Sequence, residues 1–182
     1  GKNLYAFGEG GSVTCYKKEY FDAITTIKNQ GCQVRYYHDV VGYNYRLEGI
    51  QGAVLSVSLG FLPEWTSRRR QIGSRYISEI KNPLITMQAH PENTDPVFHL
   101  FVITTKDPDH FIAYMDKKGM ECNKHYPVPC HLQKAYVDLG YKEGDCPNAE
   151  YLAGHCVTLP LFPEMTQEEI MMVIDACNAY TL

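Results

Sequence analysis

The stretch GKNLYAFGEGGSVTCY, residues 1–16, sets a lysine at position 2, Leu4 and Tyr5 just after it, and four glycines within the first eleven positions. A lysine beside a glycine-rich turn has two readings. It is a solvated terminal residue, or the chain starts in the middle of something larger. Whether Gly1 is native or a tag remnant stays open. The run FGEGGS invites a phosphate-loop reading and fails it. The fingerprint G-x-G-x-x-G, laid on Gly8 and Gly10, needs a glycine where Val13 stands, and the ending G-K-[S/T] is absent. What remains locally is a tight turn whose glycines supply positive φ.

Outward from that start, the composition is that of a soluble globular chain. Hydrophobic residues make up 45% and charged residues 21% of the 182 positions, so one domain, or one and a fraction, can bury a core unaided. A net charge of −4 weighs against bulk binding of nucleic acid or an anionic membrane. No apolar run is long enough to span a bilayer, and none of these residues reads as a signal peptide. The seven cysteines are odd in number, widely spaced and without C-x-x-C, which fits free thiols in a reducing cytosol better than a disulfide framework. A cytoplasmic location is therefore expected.

Periodicity gives a coarse order of elements. Ser12–Tyr16 reads as a short strand, and residues 17–30 as a helix stopped by Gly31. Tyr36–Arg46 is aromatic and aperiodic and reads as a loop. From Leu47 the pattern is helical, with Leu47, Ile50, Val54 and Val57 on one face. Pro63 is expected to interrupt or restart the helix, and Trp65, Ile72, Tyr76 and Ile80 continue the stripe. Arg68, Arg69, Arg70 and Arg75 read as a solvated face. Asn82–Pro96 looks like a linker and His99–Thr105 like a buried strand. Asp107 and Pro108 form an N-cap and first turn, and Gly119 ends that helix. MECNKHYPVPCHLQ, from Met120, reads as a strand entering a proline-bound loop. Thr166–Glu169 is a capping box for a last helix carrying Ile170, Val173, Ile174 and Cys177.

Three segments carry candidate chemistry. In GYNYRLEGIQGAVL, Asn44 and Arg46 precede a helix start, where first-turn amides and a guanidinium suit a phosphate; the plainer reading is that Asn44 caps the helix and Arg46 is exposed. In HYPVPCH, two prolines stiffen a loop between His125 and His131, as a site or a corner would require. The pairs Cys122/His125, Cys130/His131 and His155/Cys156 would bind zinc only if their loops converged.

Taken in order, GKNL-x-AFGEGG-x-V, YHDVVGYNYRLEGIQGAVL, HYPVPCHLQKAY and LPLFPEMTQEEI resemble the DegT/DnrJ/StrS family of pyridoxal-phosphate-dependent sugar aminotransferases over essentially the whole chain. The resemblance implies an α/β fold: the C-terminal portion of an aspartate-aminotransferase-type (fold type I) protein, with residues 1–64 ending the large domain and 65–182 forming the small α/β domain and its connecting helix. It implies that the family's N-terminal half is not part of this chain, and that the chain alone is inactive.

The family's Schiff-base lysine matches Lys2, which makes Lys2 the expected catalytic residue and the cofactor attachment point for pyridoxal 5′-phosphate. Asn44 matches the position that reaches the cofactor phosphate of the other subunit, so a homodimer with a shared active site is implied. Arg46, His125 and Tyr126 are carried over as substrate contacts. The implied partners are a keto sugar nucleotide and an amino-acid donor such as glutamate, with no nucleic acid, membrane or metal. Relatives that dehydrate their substrate carry histidine where Lys2 stands, so transamination is expected. Relatives often carry arginine near VITTKDPDHF, where Lys106 is the only cation. The competing reading is a non-catalytic binding or regulatory module that keeps the family scaffold.

Overall fold

The computed structural model describes residues 2–182; Gly1, whose origin the sequence leaves open, lies outside the described residues. Contacts divide the chain into two units, Gly1–Pro63 and Glu64–Leu182, and α2, the helix Gly49–Glu79, contributes residues to both.

The first unit begins irregularly. Ser12–Tyr16 is not a strand: among the described residues no neighbouring chain offers it a ladder. Helix α1, Lys18–Lys28, ends before Gly31 as expected, through Gln30 and Gly31 at φ +61° and +76°. The segment read as a loop opens with one strand of a small hairpin, β2 (Tyr37–His38), which runs antiparallel to β1 (Cys32–Val34) just before it. The turn between them uses Tyr36 at φ +72°, a conformation that aromatic sequence does not advertise. Of the forecast apolar face, Leu47, Ile50 and Val57 are exposed and only Val54 is half-buried.

Helix α2 passes through Pro63 without a break. Pro63 is exposed, so water can satisfy the carbonyl one turn earlier that loses its donor. In the second unit α2 buries Ile72 and Tyr76, and Ile80 just beyond its end is buried with them. They pack with Phe101 and Ile103 of β4 (Phe101–Thr105), Phe111 and Met115 of α3 (Pro108–Asp116), and Ile170, Val173, Ile174 and Cys177 of α5 (Gln167–Ala179). Both forecast caps are present. Asp107 accepts from the His110 N–H, and Thr166 and Glu169 bond each other's backbone N–H reciprocally.

The sheet of this unit is antiparallel in the order β3-β4-β5, with β3 (Ile85–Met87) and β5 (Cys156–Leu159) flanking β4. The expected linker thus contains an edge strand, three residues long and too short to show a period. Met120 onward is not a strand; only Asn123 bridges to Thr158. The proline-bound loop is followed by two short 3₁₀ turns and then α4, Pro147–His155. The arginine row is not a solvated face. Arg69 donates to the carbonyls of Phe98, His99 and Leu161 at 3.1–3.5 Å, Arg68 to Met165 at 2.8 Å, and Arg70 to Pro96 at 3.3 Å. These guanidiniums tie α2 to loop carbonyls that strand pairing leaves without donors. Arg75 is bidentate to Glu79 one turn on.

Candidate functional site

In the first unit Lys2 is exposed at the head of the glycine-rich segment. Of Gly8, Gly10 and Gly11, only Gly8 takes a positive φ, +136°. There the chain turns against α2, and Gln51 Nε2 donates to the Phe7 carbonyl at 2.7 Å.

Asn44 and Arg46 sit on a segment pinned to the end of α1. The Tyr43 N–H donates to Ile27 O at 2.7 Å, the Gln30 N–H to Tyr43 O at 2.8 Å, and the Tyr45 N–H to Lys28 O at 2.9 Å. Gly31 and Gly42 make this possible, because a Cβ on Gly31 would meet the Val40 carbonyl and one on Gly42 the Gly31 N–H. Arg46 Nε donates to Asn44 Oδ1 at 2.8 Å. Asn44 does not cap α2, which starts at Gly49. Alternation along an extended segment puts Tyr43 and Tyr45 on the other side, and their rings stack 4.9 Å apart.

In the second unit, HYPVPCH forms one wall of a cleft of about 870 Å³. The other walls are Thr86–Ala89 at and beyond β3, Val102–Thr104 of β4, and Cys146, Ala149 and Tyr151–Ala153 around α4. His125, Tyr126 and His131 all line it. His125 Nδ1 lies 2.8 Å from the Thr158 hydroxyl on β5.

His131 is anchored more firmly, since its Nε2 lies 2.9 Å from Glu150 Oε1. The same carboxylate accepts from the Gly144 N–H at 2.9 Å and the Cys146 N–H at 3.1 Å, which ties the turn before α4 to its first turn. The Gly144 N–H above all, then His131 and the Cys146 N–H, hold the Glu150 carboxyl below the ordinary carboxylate range. Sequence reasoning missed Glu150, α4 and β5. The available signals were Pro147 at a first helical position and the β-branched run before Pro160.

The forecast sites thus fall in both units, Lys2, Asn44 and Arg46 in the first and His125 and Tyr126 in the second. The loops bearing the Cys/His pairs border one cleft, yet among the described residues no three His, Cys, Asp or Glu side chains are grouped to hold a metal. Burial pushes Cys122 and Cys177 up to about 12, which leaves them unreactive as thiolates near neutral pH. No helix among the described residues is long and apolar enough to cross a membrane.

The profile of the DegT/DnrJ/EryC1/StrS aminotransferases matches residues 1–178. The chain belongs to that family. It is 36% identical over 99% of its length to a dTDP-3-amino-3,4,6-trideoxy-alpha-D-glucose transaminase of Streptomyces venezuelae, and covers 48% of that protein. It is 39% identical to the erythromycin biosynthesis sensory transduction protein EryC1 of Saccharopolyspora erythraea, covering 98% of this chain and 49% of the relative. A pleiotropic regulatory protein of Geobacillus stearothermophilus is 35% identical over 96% of this chain and 48% of its own. Among solved structures, S. venezuelae DesV in complex with a ketimine intermediate superposes at TM-score 0.91 with 35% identity, over 97% of this chain and 48% of that one. The fold is therefore the α/β fold of the pyridoxal-phosphate sugar aminotransferases, and the chain spans about half the length of the curated relatives it matches.

Pyridoxal 5′-phosphate is the cofactor that this membership implies. The donor chemistry of the first unit fits it. Lys2 carries the primary amine that an aldehyde requires. With Asn44 Oδ1 taken by Arg46 Nε, the Asn44 amide N–H₂ and the Arg46 terminal nitrogens remain as donors suited to a phosphate.

Proposed function

We propose that this chain is part of a pyridoxal-phosphate-dependent aminotransferase that moves an amino group from an amino acid, glutamate in the first instance, to a keto sugar nucleotide. The observation that carries the reading is the match over residues 1–178, with a lysine at the position the family uses for its cofactor and a phosphate-suited donor pair at Asn44 and Arg46. Lys2 Nζ would hold the cofactor aldehyde and, once released by the incoming donor, carry the proton between the substrate carbon and the cofactor. Asn44 would bind the cofactor phosphate of a partner subunit, with Arg46 beside it, so the working unit is a homodimer. His125 and Tyr126 would contact the substrate from the cleft wall. When bound, pyridoxal phosphate supplies the conjugated ring that takes up the electron pair left by the departing proton.

The division at 64/65 into the end of a large domain and a small α/β domain belongs to the same proposal, and the contact boundary after Pro63 supports it. The 182-residue chain alone is expected to be inactive, and a cytoplasmic location belongs to the same proposal, supported by the free thiols. Borohydride reduction of the whole protein with pyridoxal phosphate, followed by peptide mapping, tests the assignment. The expected product is a pyridoxyl group on Lys2; labelling at another residue, or none, refutes it.

A second reading, a regulatory or binding module on the same scaffold, is favoured by the names of two relatives, a sensory transduction protein and a pleiotropic regulatory protein. An intact mass of the natural product near the 20.8 kDa of this chain would support it. Amino transfer from glutamate by the whole protein would exclude it.

A further inference from the structure

The glycine-rich turn behind Lys2 rests on α2, and one polar side chain ties it there. Gln51 Nε2 donates to the Phe7 carbonyl at 2.7 Å, a bond between residues 44 positions apart. A carbonyl oxygen accepts and never donates, so this contact settles which end of the Gln51 amide is the N–H₂. The chain bends at Phe7, with Ala6 and Gly8 bridged across the bend. A Cβ on Gly8 would lie 3.3 Å from Gln51 Nε2, so the amide sits in the space that the absent side chain leaves. Further on, a Cβ on Gly10 would lie 3.7 Å from Leu55, one turn after Gln51 on α2. The turn therefore follows one stripe of the helix, and the bond to Phe7 sets its register there.

The other end of the same amide is unsatisfied. Gln51 Oε1 is shut away from solvent and has no hydrogen-bond partner among the described residues. An acceptor in that state is unfavourable, and a methionine of similar length would fill the place without one. The bond to Phe7 and the orphaned oxygen thus offset each other in stability. What the glutamine supplies is geometric: it fixes the backbone a few residues after Lys2. An amine reaches an aldehyde carbon only over a narrow range of distance and angle, so a small displacement of that backbone is felt at the reacting nitrogen.

We infer that Gln51 is a positioning residue for Lys2: its amide anchors the glycine-rich turn to α2 and so fixes where the Lys2 amine meets the cofactor aldehyde. The inference rests on the reading of Lys2 given above.

The test titrates the whole protein by calorimetry with pyridoxal phosphate and, separately, with pyridoxamine phosphate, whose amine cannot bond to a lysine. Gln51→Met keeps the length of the side chain and removes both the donor and the orphaned oxygen. The expected result is pyridoxal phosphate bound about tenfold more weakly and pyridoxamine phosphate within twofold of wild type. The urea midpoint is expected to stay at the wild-type value or rise. Gln51→Glu puts an ionised carboxylate, which cannot donate, against the Phe7 carbonyl, and is expected to lower the same ratio. An unchanged ratio in either variant overturns the inference. So does an equal loss on both ligands with an earlier urea midpoint, which makes Gln51 a structural residue only. A wild type that binds neither ligand and is not trapped at Lys2 refutes the aminotransferase reading, a failure distinct from that of Gln51.

Discussion

Gly73 lies inside α2, where alanine would normally stabilise by about 1 kcal/mol because it restricts the unfolded chain more than glycine does. Here the sign should reverse. A Cβ on Gly73 would lie 2.6, 2.7 and 2.9 Å from Cδ2, Cε2 and Cγ of Phe98. The ring cannot yield easily. It is buried against Phe101 at 5.5 Å, meets His90 edge-on at 5.4 Å, and its own carbonyl is held by Arg69 at 3.2 Å. The Phe98 backbone already sits at φ +43°, a region that a bulky side chain rarely adopts. Forcing an extra methyl into such a contact costs about 1–3 kcal/mol, so Gly73→Ala should lose about 1 kcal/mol net. Gly60, in the same helix, has nothing within 4 Å of its Cβ position, and Gly60→Ala should gain about 1 kcal/mol. Urea unfolding of the whole protein measures both. In a Phe98→Ala background, itself about 3–5 kcal/mol weaker, the collision is gone. Gly73→Ala should then stabilise, giving a coupling of about 2 kcal/mol. Stabilisation by Gly73→Ala in the wild-type background, equal to that of Gly60→Ala, would refute the reasoning.

Gly31→Ala should be worse than Gly119→Ala by about 1–3 kcal/mol, read as the difference in unfolding free energy. Both glycines sit near φ +76°, but only at Gly31 would a Cβ meet a carbonyl, that of Val40. Thr166→Ala removes one arm of the capping box of α5 and should cost about 1 kcal/mol, with Thr166→Ser near wild type in the same melt. Because Glu150 titrates below its ordinary value of 4.5 in the folded chain, its contribution is complete above that pH. It fades as pH falls through the lowered folded value. The gap in urea midpoint between wild type and Glu150→Gln should therefore narrow on acidification below about pH 4.5, and a gap that widens there would contradict the assignment.

Where local chemistry dominates, the sequence was legible. Asp107-Pro108 and Thr166–Glu169 name their caps because a side chain and a backbone N–H three residues away are enough to define them. The Ile72–Tyr76–Ile80 stripe named a buried face because α2 repeats every 3.6 residues. The errors share a different cause. The strand of Ile85–Met87 and the roles of Arg68–Arg70 depend on a partner far along the chain. A pattern read along one segment holds no record of that partner.

The candidate site divides in the same way. Lys2, the glycine turn, Asn44, Arg46 and the HYPVPCH loop were visible in the sequence, because motif order alone pointed to the family. That Arg46 Nε donates to Asn44 Oδ1 emerged only from the fold. So did the lock of His131 by a carboxylate nineteen residues away, and the absence of charge along the cleft wall among the described residues. The physical reason is range. Residue type and spacing set what a side chain can do over one turn or one strand step. Which hydrogen-bond acceptor it meets, and which polar atom is left without a partner, is decided when distant segments are packed together.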